Sequence, residues 1–396
     1  MEQLSNQQRL RPWMGILLFA VELAIFIFAF TPLQLNLGIP GLVITELGFV
    51  VLALAFCLIR KVKIKEVFPV KKFKIRELLG CLLLIAGAFP LSLLFVAISA
   101  TIIPSSAAEA QGINNMLYGT MSYPITVLVV GLMPAVCEEM LHRGAILSSM
   151  RKIRNENLII LIMGLFFGIF HLSVLRFLST AFLGLLLSYV VVKKNNILLS
   201  MIMHFTNNLV ALSIGFISAK SETVQAAAAT QIDYSSLLGT YMLLCVASPM
   251  VIALGMFLIE GRSFRKIKLL FAGILCALFL VGGIGLTVAN ASKNTLLNSQ
   301  ISYRITADAK EDRSLSFDVP EDREATVVVV ITNAKGDYNV RIDGDKGSNI
   351  INAPVPQGTL RMINYNVGLQ ADHYTVTIEA GDNAVGEQPV IQVTVR

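Results

Sequence analysis

Ser122-Tyr-Pro-Ile-Thr-Val-Leu-Val-Val-Gly-Leu-Met-Pro-Ala-Val-Cys-Glu138-Glu139-Met-Leu-His142-Arg143 reads as part of a membrane-crossing helix, yet it carries two carboxylates, an imidazole and a guanidinium. Charge at that depth is expensive, and its default reading is functional. On a helix Glu139 and Arg143 are four residues apart, share a face and can neutralise each other. Glu138 is rotated about 100° from Glu139, at about 3.6 residues per turn, and cannot use that arginine in the same way. It is the carboxylate left over for chemistry; the plainer reading is a buried structural ion pair. Pro134, with Gly131 nearby, removes a backbone donor one turn before the pair, which predicts a kink and a freed carbonyl.

Outward from this stretch, the 396-residue chain is 55% hydrophobic and only 15% charged, with mean hydropathy +0.69. Those values lie outside the range of ordinary soluble proteins. Apolar runs able to span about 30 Å of hydrocarbon recur at about 12–31, 38–59, 78–103, 122–150, 157–175, 177–192, 196–218, 236–259 and 269–291, which predicts about nine transmembrane helices. Basic residues mark the cytoplasmic loops. Arg9 and Arg11, the run from Arg60 to Arg76, Arg151 to Arg154, Lys193 with Lys194, and Arg262 to Lys268 fall on one side of this topology. The opposite loops, 32–37, 104–121 and 219–235, hold a single lysine, Lys220. Arg176, in the turn between the fifth and sixth spans, is the exception. The expected topology is a multi-pass protein of the cell membrane with its N-terminus cytoplasmic and everything after about Ser292 outside. The net charge of +6 then reports topology and attraction to anionic lipid, and gives no reason to invoke nucleic acid. All five cysteines lie in apolar spans, so neither a disulfide framework nor a Cys-x-x-Cys metal site is expected.

From about Ile301 the pattern changes. Ala325-Thr-Val-Val-Val-Val-Ile-Thr, Tyr338-Asn-Val-Arg-Ile-Asp, Tyr374-Thr-Val-Thr-Ile-Glu and Pro389-Val-Ile-Gln-Val-Thr-Val-Arg alternate or are β-branched, and Gly-, Asp- and Asn-rich turns separate them. The expectation is an all-β, sandwich-like domain of seven or so strands at 296–396, outside the cell, following an all-α membrane domain at 1–295. It has no catalytic constellation and reads as a binding or structural appendage with a possible extracellular partner. The alternation of Asp343 and Asp345, with Asp337 upstream, is a weak Ca²⁺ pattern.

Of the four histidines, His142 is in the opening stretch, and His171 and His204 sit inside later spans. At 1.5 Å per residue from the nearest basic flank, Glu138 lies about 20 Å deep, His171 about 25 Å and His204 about 15 Å. The three depths allow them to converge. Phe167 with His171, and His204 with Asn208, each share a helix face.

Glu138-Glu139-x-x-x-Arg143-Gly144, Phe167-x-x-x-His171 and His204-x-x-x-Asn208 resemble, in identity, order and spacing, the three motifs of the CPBP intramembrane proteases, which include the CAAX-processing endopeptidases and bacteriocin self-immunity proteins. The resemblance covers about 122–218 and leaves the β-domain untouched. It implies a glutamic endopeptidase that hydrolyses a peptide bond of a membrane-associated peptide or protein. Glu138 would be the base on a water that His171 helps to position, and His204 and Asn208 would stabilise the oxyanion. Glu139, Arg143 and Phe167 would be supporting residues. No cofactor is required on this reading. The mechanistic rival is a catalytic Zn²⁺ held by Glu138, His171 and His204, although no His-Glu-x-x-His is present. Two further readings are a non-catalytic peptide-binding or immunity protein and a proton-coupled transporter, for which Glu22 and Glu46 in the first two spans would matter.

Overall fold

The computed structural model describes residues 10–106, 121–220, 234–294, 296–347, 349–357 and 361–395. The chain divides into two compact units, Met1–Thr287 and Val288–Arg396.

Among the described residues of the first unit, eight helices are long and apolar enough to cross a membrane. In chain order the helices are α1 (Pro12–Leu37), α2 (Ile39–Arg60), α3 (Ile75–Ile102), α4 (Tyr123–Met150), α5 (Glu156–Phe170), α6 (Phe177–Lys194), α7 (Ile197–Ser218), α8 (Leu237–Ser263) and α9 (Ile267–Asn290). The fifth expected span, 157–175, corrects to α5, a shorter helix of 15 residues. At 1.5 Å per residue it reaches only about 22 Å. It stops at His171 because a tight turn comes next, with Leu172 at φ +48°. The outer loops expected at 104–121 and 219–235 lie largely outside the described residues.

Large apolar side chains such as Phe28, Leu35 and Val281 are 81%, 82% and 70% exposed. That is how a helix reads when its outer face meets lipid. Inside, small residues bring backbones together in the absence of a hydrophobic drive between helices. A Cβ on Gly164 would meet Leu185 Cγ at 2.6 Å, and one on Gly184 would meet Phe167 Cβ at 2.7 Å, so α5 and α6 close into a tight hairpin. Gly80 and Gly255 bring α3 and α8 together in the same way, a Cβ on either falling within 2.9 Å of the other's carbonyl oxygen.

The basic helix ends are tied to one another. Lys193 pairs with Glu156 at 2.6 Å, Lys194 with Glu77 at 2.8 Å, and Lys268 with Glu260 at 2.6 Å. Tyr189 of α6 also donates to Glu260 at 2.9 Å, so the N-terminal ends of α3 and α5 and the C-terminal ends of α6 and α8 lie on one side of the bundle.

The second unit is all-β. Its strands are β1 (Leu297–Ser302), β2 (Glu311–Val319), β3 (Arg323–Thr332), β4 (Tyr338–Gly344), β5 (Asn349–Pro354), β6 (Arg361–Leu369), β7 (Asp372–Ala380) and β8 (Val390–Val395). They form two four-stranded antiparallel sheets, ordered β1-β8-β3-β6 and β2-β7-β4-β5. Alternation decides which faces meet: Val327, Val329 and Ile331 of β3 point inward with Val340, Ile342, Val376, Ile378, Ile391 and Val393. Tyr374 stacks on Phe317 within this core, and its hydroxyl bonds to the backbone of Gln370.

Candidate active site

Helix α4 is not uniformly wound. π-helical turns at Val127–Leu132 and Met140–Ile146 flank a short α-helical segment, Met133–Glu139, with Pro134 at its start. Such turns are frequent at functional sites because they re-aim side chains and free backbone groups. The carbonyls of Val130 and Gly131 accept from Asn208 Nδ2, both at 3.4 Å. The carbonyl freed by Pro134 is thus used, and its partner is one of the motif residues.

Glu138 and Glu139 are both buried and differently employed. Glu139 Oε1 accepts from Arg143 Nη1 at 2.7 Å and from His204 Nδ1 at 3.1 Å. Arg143, 1% exposed, donates from Nη2 to the Gly184 carbonyl at 3.1 Å, and its Cζ lies 4.3 Å above the Phe167 ring centre. That contact depends on the glycine-lined approach of α5 to α6. Glu138 Oε2 has no hydrogen-bond partner among the described residues, and His204 Nε2 faces it at 3.9 Å. Glu139 is thus engaged by Arg143 and His204, while the Oε2 of its neighbour is left without a hydrogen bond among the described residues.

Phe167 is the hub. Its ring centre lies 5.3 Å from that of His142, 4.7 Å from His171 and 5.6 Å from His204. The three motifs therefore converge inside the bundle. His171 directs Nδ1 to the carbonyl of Phe167 at 2.8 Å, which leaves Nε2 as its outward nitrogen. It makes no hydrogen bond or ion pair with Glu138. Asn208 lies on α4 carbonyls and Asn207, with its amide engaged.

Among the described residues, no three His, Cys, Asp or Glu side chains are grouped to hold a metal ion. Glu138, His171 and His204, the alternative zinc set, form no such group among the described residues. The Ca²⁺ pattern in the β-unit does not assemble either: Asp343 pairs with Arg341, and Asp337 accepts from Gln357 and Asn383.

Two residues that the sequence offered to a transporter, Glu22 and Glu46, are buried at this same site. Glu22 Oε1 approaches His142 Nε2 at 3.3 Å, and Glu46 is buried on α2, which packs against the Met133–Glu139 segment of α4. Their depth within apolar spans was the visible signal; their destination was not. Beside His171, Ile102, Ile103, Ile169, Leu172, Val174 and Leu178 help to line an apolar cavity of about 370 Å³.

Residues 120–210 match the family model described as type II CAAX prenyl endopeptidase, Rce1-like. Over this segment the chain matches the CPBP/CAAX protease family. The Rce1-like core carries all three motifs, and the match supports an intramembrane protease of the CAAX type in a multi-pass membrane protein. No curated protein matches the chain. Two solved structures show faint likeness. The pre-peptidase C-terminal domain of a collagenase from Bacillus anthracis is 16% identical, with TM-score 0.21, over 25% of this chain and 90% of that one. A carbohydrate-binding module of Cellvibrio mixtus lichenase 5A, in complex with cellotriose, is 15% identical, with TM-score 0.17, over 26% and 89%. At these scores neither likeness assigns a fold or a ligand.

Proposed function

We propose that the Rce1-like core hydrolyses a peptide bond within the membrane by a glutamate-activated water. The observation that carries this reading is the free, buried Glu138 Oε2 beside a neighbour, Glu139, committed to Arg143 and His204. Glu138 takes a proton from the water as the hydroxide adds to the scissile carbonyl, and returns it to the leaving amine. His171 Nε2 orients the water. His204, whose Nδ1–H donates to Glu139, offers the developing oxyanion an Nε2–H donor in its imidazolium form. Asn208 shares that helix face, and its 3.4 Å bonds to Val130 and Gly131 are at the long limit and readily exchanged for an oxyanion.

The substrate class that fits the printed family description is a prenylated CAAX-type peptide. The apolar cavity beside His171 suits a hydrophobic group of that kind. The N-terminus is cytoplasmic and the β-unit extracytoplasmic on this reading. The α5–α6 hairpin returns to the side it left, so α5's shortness does not alter the sidedness of the later helices.

The test is cleavage of prenylated and unprenylated CAAX peptides by the purified full chain in nanodiscs, with Glu138→Gln and a chelator arm. Cleavage that needs Glu138 and survives chelation is expected. Full activity in Glu138→Gln would remove the assignment of the base, and chelator-sensitive cleavage would return the metal reading.

A further inference from the structure

Helix α1 contributes to none of the three motifs, yet it sends a buried carboxylate to them. Glu22 is fully buried, and neither of its oxygens has a hydrogen-bond partner among the described residues. Its Oε1 lies 3.3 Å from His142 Nε2, also buried and without a hydrogen-bond partner. The other ring nitrogen, Nδ1, lies 3.1 Å from the backbone carbonyl of Glu138. A carbonyl oxygen only accepts, so Nδ1 carries a proton. Two unprotonated acceptors at 3.3 Å in a dry interior would repel, so a second proton resides on either Nε2 or Glu22. Whether it resides on the carboxyl or on the ring, the pair is neutral overall and its orientation is the same.

The ring is gripped further by edge-on contacts with Phe167 at 5.3 Å and Phe170 at 4.9 Å. His142 sits in the π-helical turn that begins directly after Glu139, where the regular backbone ladder is interrupted. Its side chain thus serves the carbonyl of the very residue whose carboxylate acts as base.

We propose that Glu22 is a positioning residue for the reaction: it fixes the orientation of His142, which holds the Glu138 backbone so that its carboxylate faces His204. This rests on the reading of Glu138 as the base. Glu22 itself touches no reacting atom; it acts through His142.

The test uses the full chain in nanodiscs and compares wild type, Glu22→Leu, Glu22→Gln and Glu138→Gln, with rates normalised to folded protein. Gln can donate an amide N–H to Nε2 and hold the ring in place, whereas Leu fills the space and cannot. Glu22→Leu should lower kcat by ~10-fold or more at unchanged KM, as misplacement of a catalytic group does. Glu22→Gln should stay near wild type; a loss as deep as that of Glu22→Leu would overturn the proposal. Wild-type kcat in Glu22→Leu, with Glu138→Gln inactive, would overturn the positioning role and leave the base assignment standing. Activity in Glu138→Gln would remove the base assignment instead. A readout independent of catalysis is the side-chain ¹⁵N spectrum of histidine-labelled full chain. His142 should show a protonated Nδ1 and an Nε2 resonance that Glu22→Leu displaces and Glu22→Gln preserves. An identical Nε2 resonance in Glu22→Leu and wild type would overturn the proposal even if no peptide were cleaved.

Discussion

Glu138→Gln and Glu139→Gln make the same chemical change at adjacent positions and should fail in opposite ways. Glu139 balances a guanidinium that is 1% exposed, and its Oε1 accepts two hydrogen bonds, from Arg143 at 2.7 Å and His204 at 3.1 Å. Gln at 139 can still accept both, so the loss is the charge. Leaving a buried cation without its counter-ion costs about 3–5 kcal/mol when one partner of such a pair is removed. The retained hydrogen bonds place the expected value near the lower end, about 3 kcal/mol. Glu138 has an unpartnered Oε2 and only a 3.9 Å approach to His204. Its neutralisation should change stability by less than about 1 kcal/mol, because no buried partner is stranded. Activity should invert this order: loss of a general base costs ~10²–10⁴-fold in rate. The assay is reversible unfolding in mixed micelles followed by circular dichroism, alongside peptide cleavage at a temperature where both variants are folded. Equal destabilisation by the two variants would refute the division of labour, as would an unchanged midpoint for Glu139→Gln.

Gly184→Ala should destabilise the bundle by about 1–3 kcal/mol through overpacking, because the added Cβ meets Phe167 Cβ at 2.7 Å and Gly164 Cα at 3.1 Å; an unchanged unfolding midpoint would refute it. Lys193→Ala breaks a partly exposed pair with Glu156 and should cost less than about 1 kcal/mol by the same assay. In the β-unit, burial pushes the Glu387 carboxyl up, but hydrogen bonds from the Tyr338 hydroxyl and the backbone N–H groups of Lys335 and Gly336 outweigh it and hold the group below its ordinary value. A depressed carboxyl contributes stability that is present above its unfolded value and lost as pH falls through the folded one. Calorimetry of the full chain should therefore show the β-unit's midpoint falling between about pH 5 and pH 3, and falling less in Glu387→Gln. His373 is held above its ordinary value by the Asp318 carboxylate at 2.7 Å, so its contribution runs the other way. It is present below about pH 6.5 and lost as pH rises through the folded value, and His373→Gln should flatten that neutral-pH slope.

Much of this protein is written in local pattern. Long apolar runs and the placement of lysine and arginine determined a helical membrane unit, because hydrocarbon leaves the backbone few alternatives to the helix. Period-2 alternation at Tyr338, Val340 and Ile342 determined a strand with one buried face. The four-residue spacing from Glu139 to Arg143 determined that these two can pair, since an α-helix places i and i+4 on one face. Tertiary structure decided the rest. That α5 stops at His171 reflects the turn and its close packing against α6, which no hydropathy count contains. That Phe167 gathers three histidines and an arginine, and that Asn208 takes the carbonyls loosened by Pro134, depends on α4, α5 and α7 meeting. Glu22 lies about 120 residues before His142 in the chain, and a buried acid announces only that it needs a partner. Which partner it meets is decided by the packing of α1 against the π-helical turn of α4, a contact that sequence spacing alone does not encode.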